Sequence, residues 1–553
     1  MARWGDKPPI TADQLQNADR LPVMDVSEPV GDRDKTLTVQ EMRKLLKGAS
    51  YVGPLAPSVH NDASEGFGVG ATWVKDNESP PAYYVLTDAT VGAAVWKEIN
   101  VGLLDVEAGT GVTIDKSNPK KPVINVAYTG SEILGVRWDK GSDPTCVRIK
   151  DAVGLVANIG VDGSFVQNDF DTAPVYRNIY PTVDEFGNHV VEIGKFYYRV
   201  SSGPDWWQLE VSEKWHAGFQ RWNAFTDFST GLELDRFLIG RYNGVIEGGA
   251  LVSKPGLAPT AATNIVDFRT AARETPGGQI MDVEAMFMMQ MLFVIEFATL
   301  NSQSVMEGAV GMSYDDSRVI LSAAQGTNTV EVEGADVHFD VGQLIGIGAS
   351  RGNSSVFRGR KIIDLTGDFI TFDGNPVDVD GGEVVWSFGW PTGALDVVQA
   401  ASGSLGNTGA RMPMKYRWVE NLWGNIYEWV DGINITDGEA WIARDASKYV
   451  SNVAAGPDYE PLGYALSPND AQYITELGFD PLLAFAALPV GTGGSSSTYY
   501  ADRWYITTTG WRVLLFGGFW NAGSHAGAFL MTGNTAASGT SVSIGARLLR
   551  KVA

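Results

Sequence analysis

With 553 residues, 44% of them hydrophobic, the chain has enough material for roughly three or four domains with their own cores. Its 42 basic against 65 acidic residues, a net charge of −23, and the lack of any basic run argue against a nucleic-acid partner, which needs Lys/Arg patches for phosphate. One cysteine, Cys146, leaves no intrachain disulfide framework and no cysteine-rich zinc site, while 64 glycines and 17 tryptophans point to turn-rich β structure with aromatic anchors.

Residues 1–50 read as an attachment arm. Prolines at 8, 9, 22 and 29 keep its start extended, and Thr38 with Glu41 forms a capping box for a short helix carrying Met42, Leu45 and Leu46 on one face, stopped at Gly48. That face would pack on another subunit or particle component, or within the chain. The N-terminus lacks the basic-then-apolar pattern of a secretory leader. Residues 51–130 read as a β-rich module. Within it the run Glu107 to Ala127 predicts two strands around an Asn118-Pro119 turn and is similar to motifs of phage tail fibres.

Residues 131–213 read as a β-rich domain. The alternation in His189–Ile193 and Lys195–Val200, after a Phe186-Gly187-Asn188 turn, predicts paired strands. Asp162, Asp169 and Asp171 lack the glycine and closing glutamate of an EF-hand and read as turn carboxylates. A further domain is expected over 214–316 and 393–553. It opens with strands in Phe237–Ile246, followed by Met281–Asn301, apolar on nearly every side and therefore a core helix rather than a methionine-rich groove. Gln290 and Glu296 interrupt that run, which is too short to span a bilayer, so no membrane insertion is expected. Between the two halves, 317–392 alternates with repeated glycine turns and predicts an inserted small β-barrel-like domain of five or six strands. The fold class is therefore mainly β with some α.

The C-terminal stretch Trp511–Arg550 mixes two kinds of residue. A frame recurs: Gly517, Gly518, Trp520, Gly523, Ala526, Gly527, Phe529, Ile544, Gly545, Arg547 and Leu548. Between its members lie residues of no consistent chemistry: Phe519, Asn521, Ala522, Ser524, His525, Leu530, Met531, and the polar string containing Thr540, Ser541 and Ser543. Glycines fix loop geometry, and aromatic residues among Ser, Gly and Asn are typical of binding surfaces. Tyr499, Tyr500, Trp504 and Tyr505 are expected beside them.

The spacing of that frame, with Arg512 and Leu515 before it, resembles the variable region of phage proteins diversified by diversity-generating retroelements. Gly424–Val430, GNIYEWV, is similar to a signature of the formylglycine-generating-enzyme superfamily. The resemblance implies a C-type lectin-like α+β domain, a homotrimer, and diversification at template Asn codons, from which Met531 cannot arise by adenine changes alone. It also brings a structural calcium near Asn425 and Glu428 into consideration, the other reading of Glu428 being a buried hydrogen-bonded brace. No other cofactor is expected. Related oxidases need paired cysteines or a histidine cluster. Here there is only Cys146, and His60, His189, His216, His338 and His525 are scattered. The expectation is a non-enzymatic receptor-binding protein of a phage tail, located in the virion. It would contact other tail proteins through its N-terminus and a host surface protein or glycan through its variable face. The alternatives are a depolymerase acting on surface glycan with two carboxylates, and a purely structural tail or baseplate protein.

Overall fold

The computed structural model describes residues 20–24, 34–38, 51–53, 56–60, 64, 69, 71–75, 82–99, 112–115 and 123–126, and residues 132–553 other than 163, 165, 229, 313–316 and 553. The chain divides into two compact units, Met1–Gly130 and Ser131–Ala553, and it is mainly β with some α.

In the first unit, Arg20–Met24 pairs antiparallel with Asp34–Thr38. Thr38 thus ends a strand, and the helix expected after it lies outside the described residues. Tyr51–Gly53, Thr72–Lys75, Ala82–Asp88 and Val95–Ile99 form a four-stranded sheet over a small core of Ala71, Trp73, Leu86 and Ala94. The hairpin read from the Asn118-Pro119 run is present as Val112–Asp115 paired with Val123–Val126.

The second unit is organised on the helix Val283–Phe297. Asp282 caps it, accepting from the Ala285 N–H at 2.9 Å, and it ends at Ala298 in the left-handed conformation, φ 53°. Every residue from Val283 to Glu296 is buried, so the methionines are core and offer no groove. Each large apolar side chain removed from water there contributes about 1.5–3 kcal/mol. The two polar interruptions have specific partners. Glu296 accepts from the Arg417 guanidinium at 2.6 and 2.8 Å and from Asn168, while Gln290 donates to the Ala528 carbonyl at 2.7 Å.

Around this helix lie two five-stranded sheets and one of nine strands. The strand Ile133–Asp139 places Leu134, Val136 and Trp138 in the same core as the helix, so 131–213 is not walled off from the residues that follow. His189–Gly194 and Tyr197–Gly203 are both strands, but they are not paired with each other. The first pairs with Ile179–Val183 and Arg236–Gly240, the second with Trp206–Ser212 and Gln220–Arg221 in another sheet. The intervening Lys195 N–H bonds the Asp235 carbonyl, and there the chain passes between sheets. The last strand, Leu548–Lys551, lies between Arg236–Gly240 and Gly278–Ile280 and ties the end of the chain into this core.

The strands between 318 and 387 pair only with one another, in a six-stranded sheet and a two-stranded ribbon. An Ile320–Val332 bridge links the residues following the sheet's two edge strands and closes it around Ile345, Ile347, Ile362, Ile370, Phe372 and Val385. Leu344, Trp386, Phe388 and Trp390 of this segment pack on Ala309, Ile426 and Trp520.

Candidate functional site

The strand Trp511–Phe516 is central in the nine-stranded sheet, between Tyr427–Thr436 and Met531–Thr535. Its side chains alternate between two buried faces: Leu514 and Phe516 enter the helix core, whereas Val513 and Leu515 meet Ile265, Phe268 and Trp429. A strand covered on both sides reads as the continuous apolar run VLLF. The chain then leaves the sheet as the loop 517–530.

Main-chain bonds hold this loop. The Trp520 N–H donates to the Asn425 carbonyl at 3.0 Å, Met312 N–H to the Trp520 carbonyl at 2.7 Å, and Gly523 N–H to the Val310 carbonyl at 2.8 Å. Gln303 Nε2 donates to the carbonyls of Gly523 and Ala526 at 2.9 and 2.7 Å. The Ala528 N–H donates to Ser302 Oγ at 2.8 Å, and Phe529 N–H to the Asp502 carboxylate at 2.7 Å. Burial raises the Asp502 pKa well above the carboxylate range, against the pull of the Phe529 and Leu530 N–H groups. Two glycines are sterically required. A Cβ on Gly527 would lie 2.3 Å from Ser302 Oγ and 2.6 Å from the Asp502 carboxylate; one on Gly518, at φ 85°, would lie 2.8 Å from Ala526 Cβ.

The far end of the frame is pinned by a buried ion pair. Arg547 lies 2.6 Å from Glu428, and its remaining N–H groups donate to the carbonyls of Gly240, Glu420 and Asn421. Asn243 donates to the same carboxylate at 2.6 Å. Glu428 is thus a hydrogen-bonded brace, and the cation facing it is the guanidinium. Asn425 accepts from Trp390 N–H at 2.7 Å and donates to Asn243 at 3.0 Å. Among the described residues no group of three or more His, Cys, Asp or Glu is placed to hold a metal. Asp169 and Asp171 are likewise engaged, the first by the Val156 N–H and the second by Arg417.

Of the residues expected to meet a ligand, Ser524 is exposed, and Phe519, Asn521 and His525 are half-buried on the same loop. No side-chain hydrogen bond from Asn521, Ser524 or His525 to the protein occurs among the described residues. Phe519 stacks on Tyr427 at 5.2 Å and packs beside Trp520. Thr540 is exposed and Ser541 half-buried on the following turn.

Six expectations are corrected. Ala522 is 1% exposed, wedged against Val310 and Ala526. Leu530 and Met531 are fully buried where the loop re-enters the sheet. Ser543 is buried, its hydroxyl 2.9 Å from Ser541 Oγ. The Tyr500 hydroxyl accepts from Trp207 Nε1 inside the core, and Trp504 Nε1 donates to the Ser467 carbonyl. These six are buried and belong to the frame rather than to its exposed face. Tyr499 is half-buried, edge-on to Trp138 at 6.4 Å.

Beside the expected Tyr505, the structure adds Arg503 and Tyr473, which sequence reasoning passed over. On Arg503–Ile506, Trp504 and Ile506 point inward, so Arg503 and Tyr505 point outward. Tyr505 meets the His525 ring edge-on at 6.1 Å, and the Arg503 guanidinium lies 4.8 Å over the Tyr473 ring. Among the described residues no carboxylate lies within ion-pair distance of Arg503. Burial, then the Arg503 charge, pushes the His525 pKa down to about 4, so its imidazole is neutral near pH 7. Period-two alternation in the sequence DRWYIT was the available signal for Arg503. Tyr473 had none, because the strand it pairs with lies 30 residues later.

No protein-family model matches the chain, and no curated protein matches it in sequence.

Proposed function

We infer that the chain is a receptor-binding protein of a phage tail that acts without catalysis, through a C-type lectin-like C-terminal domain. Its N-terminal portion attaches it to the virion as a homotrimer. The loop carrying Phe519, Asn521, Ser524 and His525, with the flanking Tyr505, Arg503 and Tyr473, grips a host surface protein or glycan. One observation carries this reading: the loop is fastened through its backbone, while Asn521, Ser524 and His525 make no side-chain hydrogen bonds to the protein. Such a loop changes partner by changing side chains, without spending binding energy on ordering its backbone. Linked copies would raise weak single-site binding by about 10²–10⁴.

Deep sequencing of the 3′ end of the gene in one growing phage population tests the reading. Substitutions concentrated at codons 519, 521, 524 and 525, with codons 522, 530 and 531 constant, are expected. A uniform sequence there would favour a structural tail protein, and release of reducing sugar from host envelope would favour a depolymerase.

A further inference from the structure

A second concavity shares no lining residue with the 517–531 loop. It is a cleft of about 880 Å³ between the turn Thr226–Phe228, the turn before Gly278–Ile280, the segment Asp445–Lys448 and the final strand at Lys551. Three basic side chains converge there, Arg273, Lys448 and Lys551. In a chain of net charge −23 that is unexpected, and among the described residues none of the three has a carboxylate within ion-pair distance. Lys551 donates to the carbonyls of Asn223 and Thr226 at 2.9 and 3.3 Å, and Arg273 donates to the Tyr449 carbonyl at 3.0 Å. These bonds fix the position of both cations, and the charge of Lys551 is partly balanced from behind by the buried Asp282 and Glu284 carboxylates. Lys448 is exposed; its backbone N–H donates to the Asp445 carbonyl at 2.9 Å, and its ammonium makes no hydrogen bond to the protein among the described residues.

The two lining carboxylates are occupied locally: Asp445 accepts from the Ser447 N–H at 2.9 Å, and Asp227 from the Thr230 hydroxyl at 2.5 Å. At the rim the Phe228 ring is 39% exposed, with the Lys551 ammonium 5.1 Å from its centroid. A planar guanidinium matches a carboxylate in two-pronged fashion, an exposed ring offers a stacking face, and the volume suits a ligand of several rings rather than a lone ion. We propose that this cleft is a binding site for an acidic saccharide, a carboxylate-bearing sugar unit held by Arg273 and Lys448 and stacked at Phe228. It is independent of the loop surface.

The test is calorimetric titration of the full chain with trigalacturonate and, in parallel, with neutral trigalactose. Saturable binding of the acidic sugar, at least about tenfold tighter than the neutral one and weakened by salt, is expected. Lys448→Glu should abolish it. Phe228→Ala should weaken both sugars, and Ser524→Ala with His525→Ala should leave it unchanged. The Lys448 side chain is exposed and makes no hydrogen bond to the protein among the described residues, so its substitution leaves folding intact, which circular dichroism checks. Equal affinity for the two sugars, no saturable binding of either, or full affinity in Lys448→Glu would overturn the proposal.

Discussion

Arg547 and Glu428 pin the C-terminal frame through a buried ion pair. Burial pushes the Glu428 pKa up, and the Arg547 charge together with the Arg547 and Asn243 hydrogen bonds opposes that shift. Removing one member strands the other in the core. Arg547→Met is therefore expected to lower unfolding free energy by about 3–5 kcal/mol in urea titration; a loss below about 1 kcal/mol would show that the pair is dispensable. His525 is a second residue-scale test. Its folded pKa is depressed, so its contribution to stability is present above the unfolded value of 6.5 and is lost as pH falls towards about 4. An NMR titration should show the imidazole protonating near pH 4, and a midpoint near 6.5 would place it in open solvent. Glu284 has the opposite sign. Burial, then the neighbouring Asp282 carboxylate, raises it to about 8, so its contribution is full below 4.5 and is lost as pH rises through 8. Glu284→Gln should thus gain in melting temperature relative to wild type between pH 5 and pH 8, and a constant difference would contradict the burial argument.

At the scale of elements, the loop 517–530 separates fixed from free positions. Gly518→Ala combines a left-handed φ with a clash against Ala526, and should cost at least about 1–3 kcal/mol by chemical denaturation. Ser524→Ala should stay within about 0.5 kcal/mol. Much of this was legible in the sequence. The spacing of Gly517, Gly518, Trp520, Gly527 and Arg547 marked the frame, and the apolar run 283–297 marked the central helix. What failed was the assumption that every residue between frame positions faces outward. Leu530 and Met531 are where the loop re-enters a sheet covered on both faces, which no local pattern announces. Trp504 was misplaced although strand alternation with Arg503 and Tyr505 was readable. Gln303 and Ser302, which bind the loop backbone, lie more than two hundred residues before it, and only the fold joins them.

For the molecule as a whole, the division at Gly130 and the single core shared by 131–213 and the later residues make Ser131–Ala553 a folding unit. That fragment should be soluble and unfold in one cooperative transition; failure to fold would mean that residues before 131 complete its core. The segment 317–392 has its own closed sheet and core, yet its Trp386, Phe388 and Trp390 cover Ile426 and Trp520 beneath the loop. Its excision should therefore perturb the packing under the loop and is not a neutral deletion.

The proposed recognition depends on side chains that vary over a fixed backbone. Two libraries of the full chain, one randomised at Asn521, Ser524 and His525 and the other at Ala522, Leu530 and Met531, can be sorted for protease resistance and sequenced. The first set should accept most amino acids among folded survivors, and the second should return only small or apolar residues near the native ones. If the two sets prove equally restricted, the exposed loop is part of the core it rests on and the recognition reading fails.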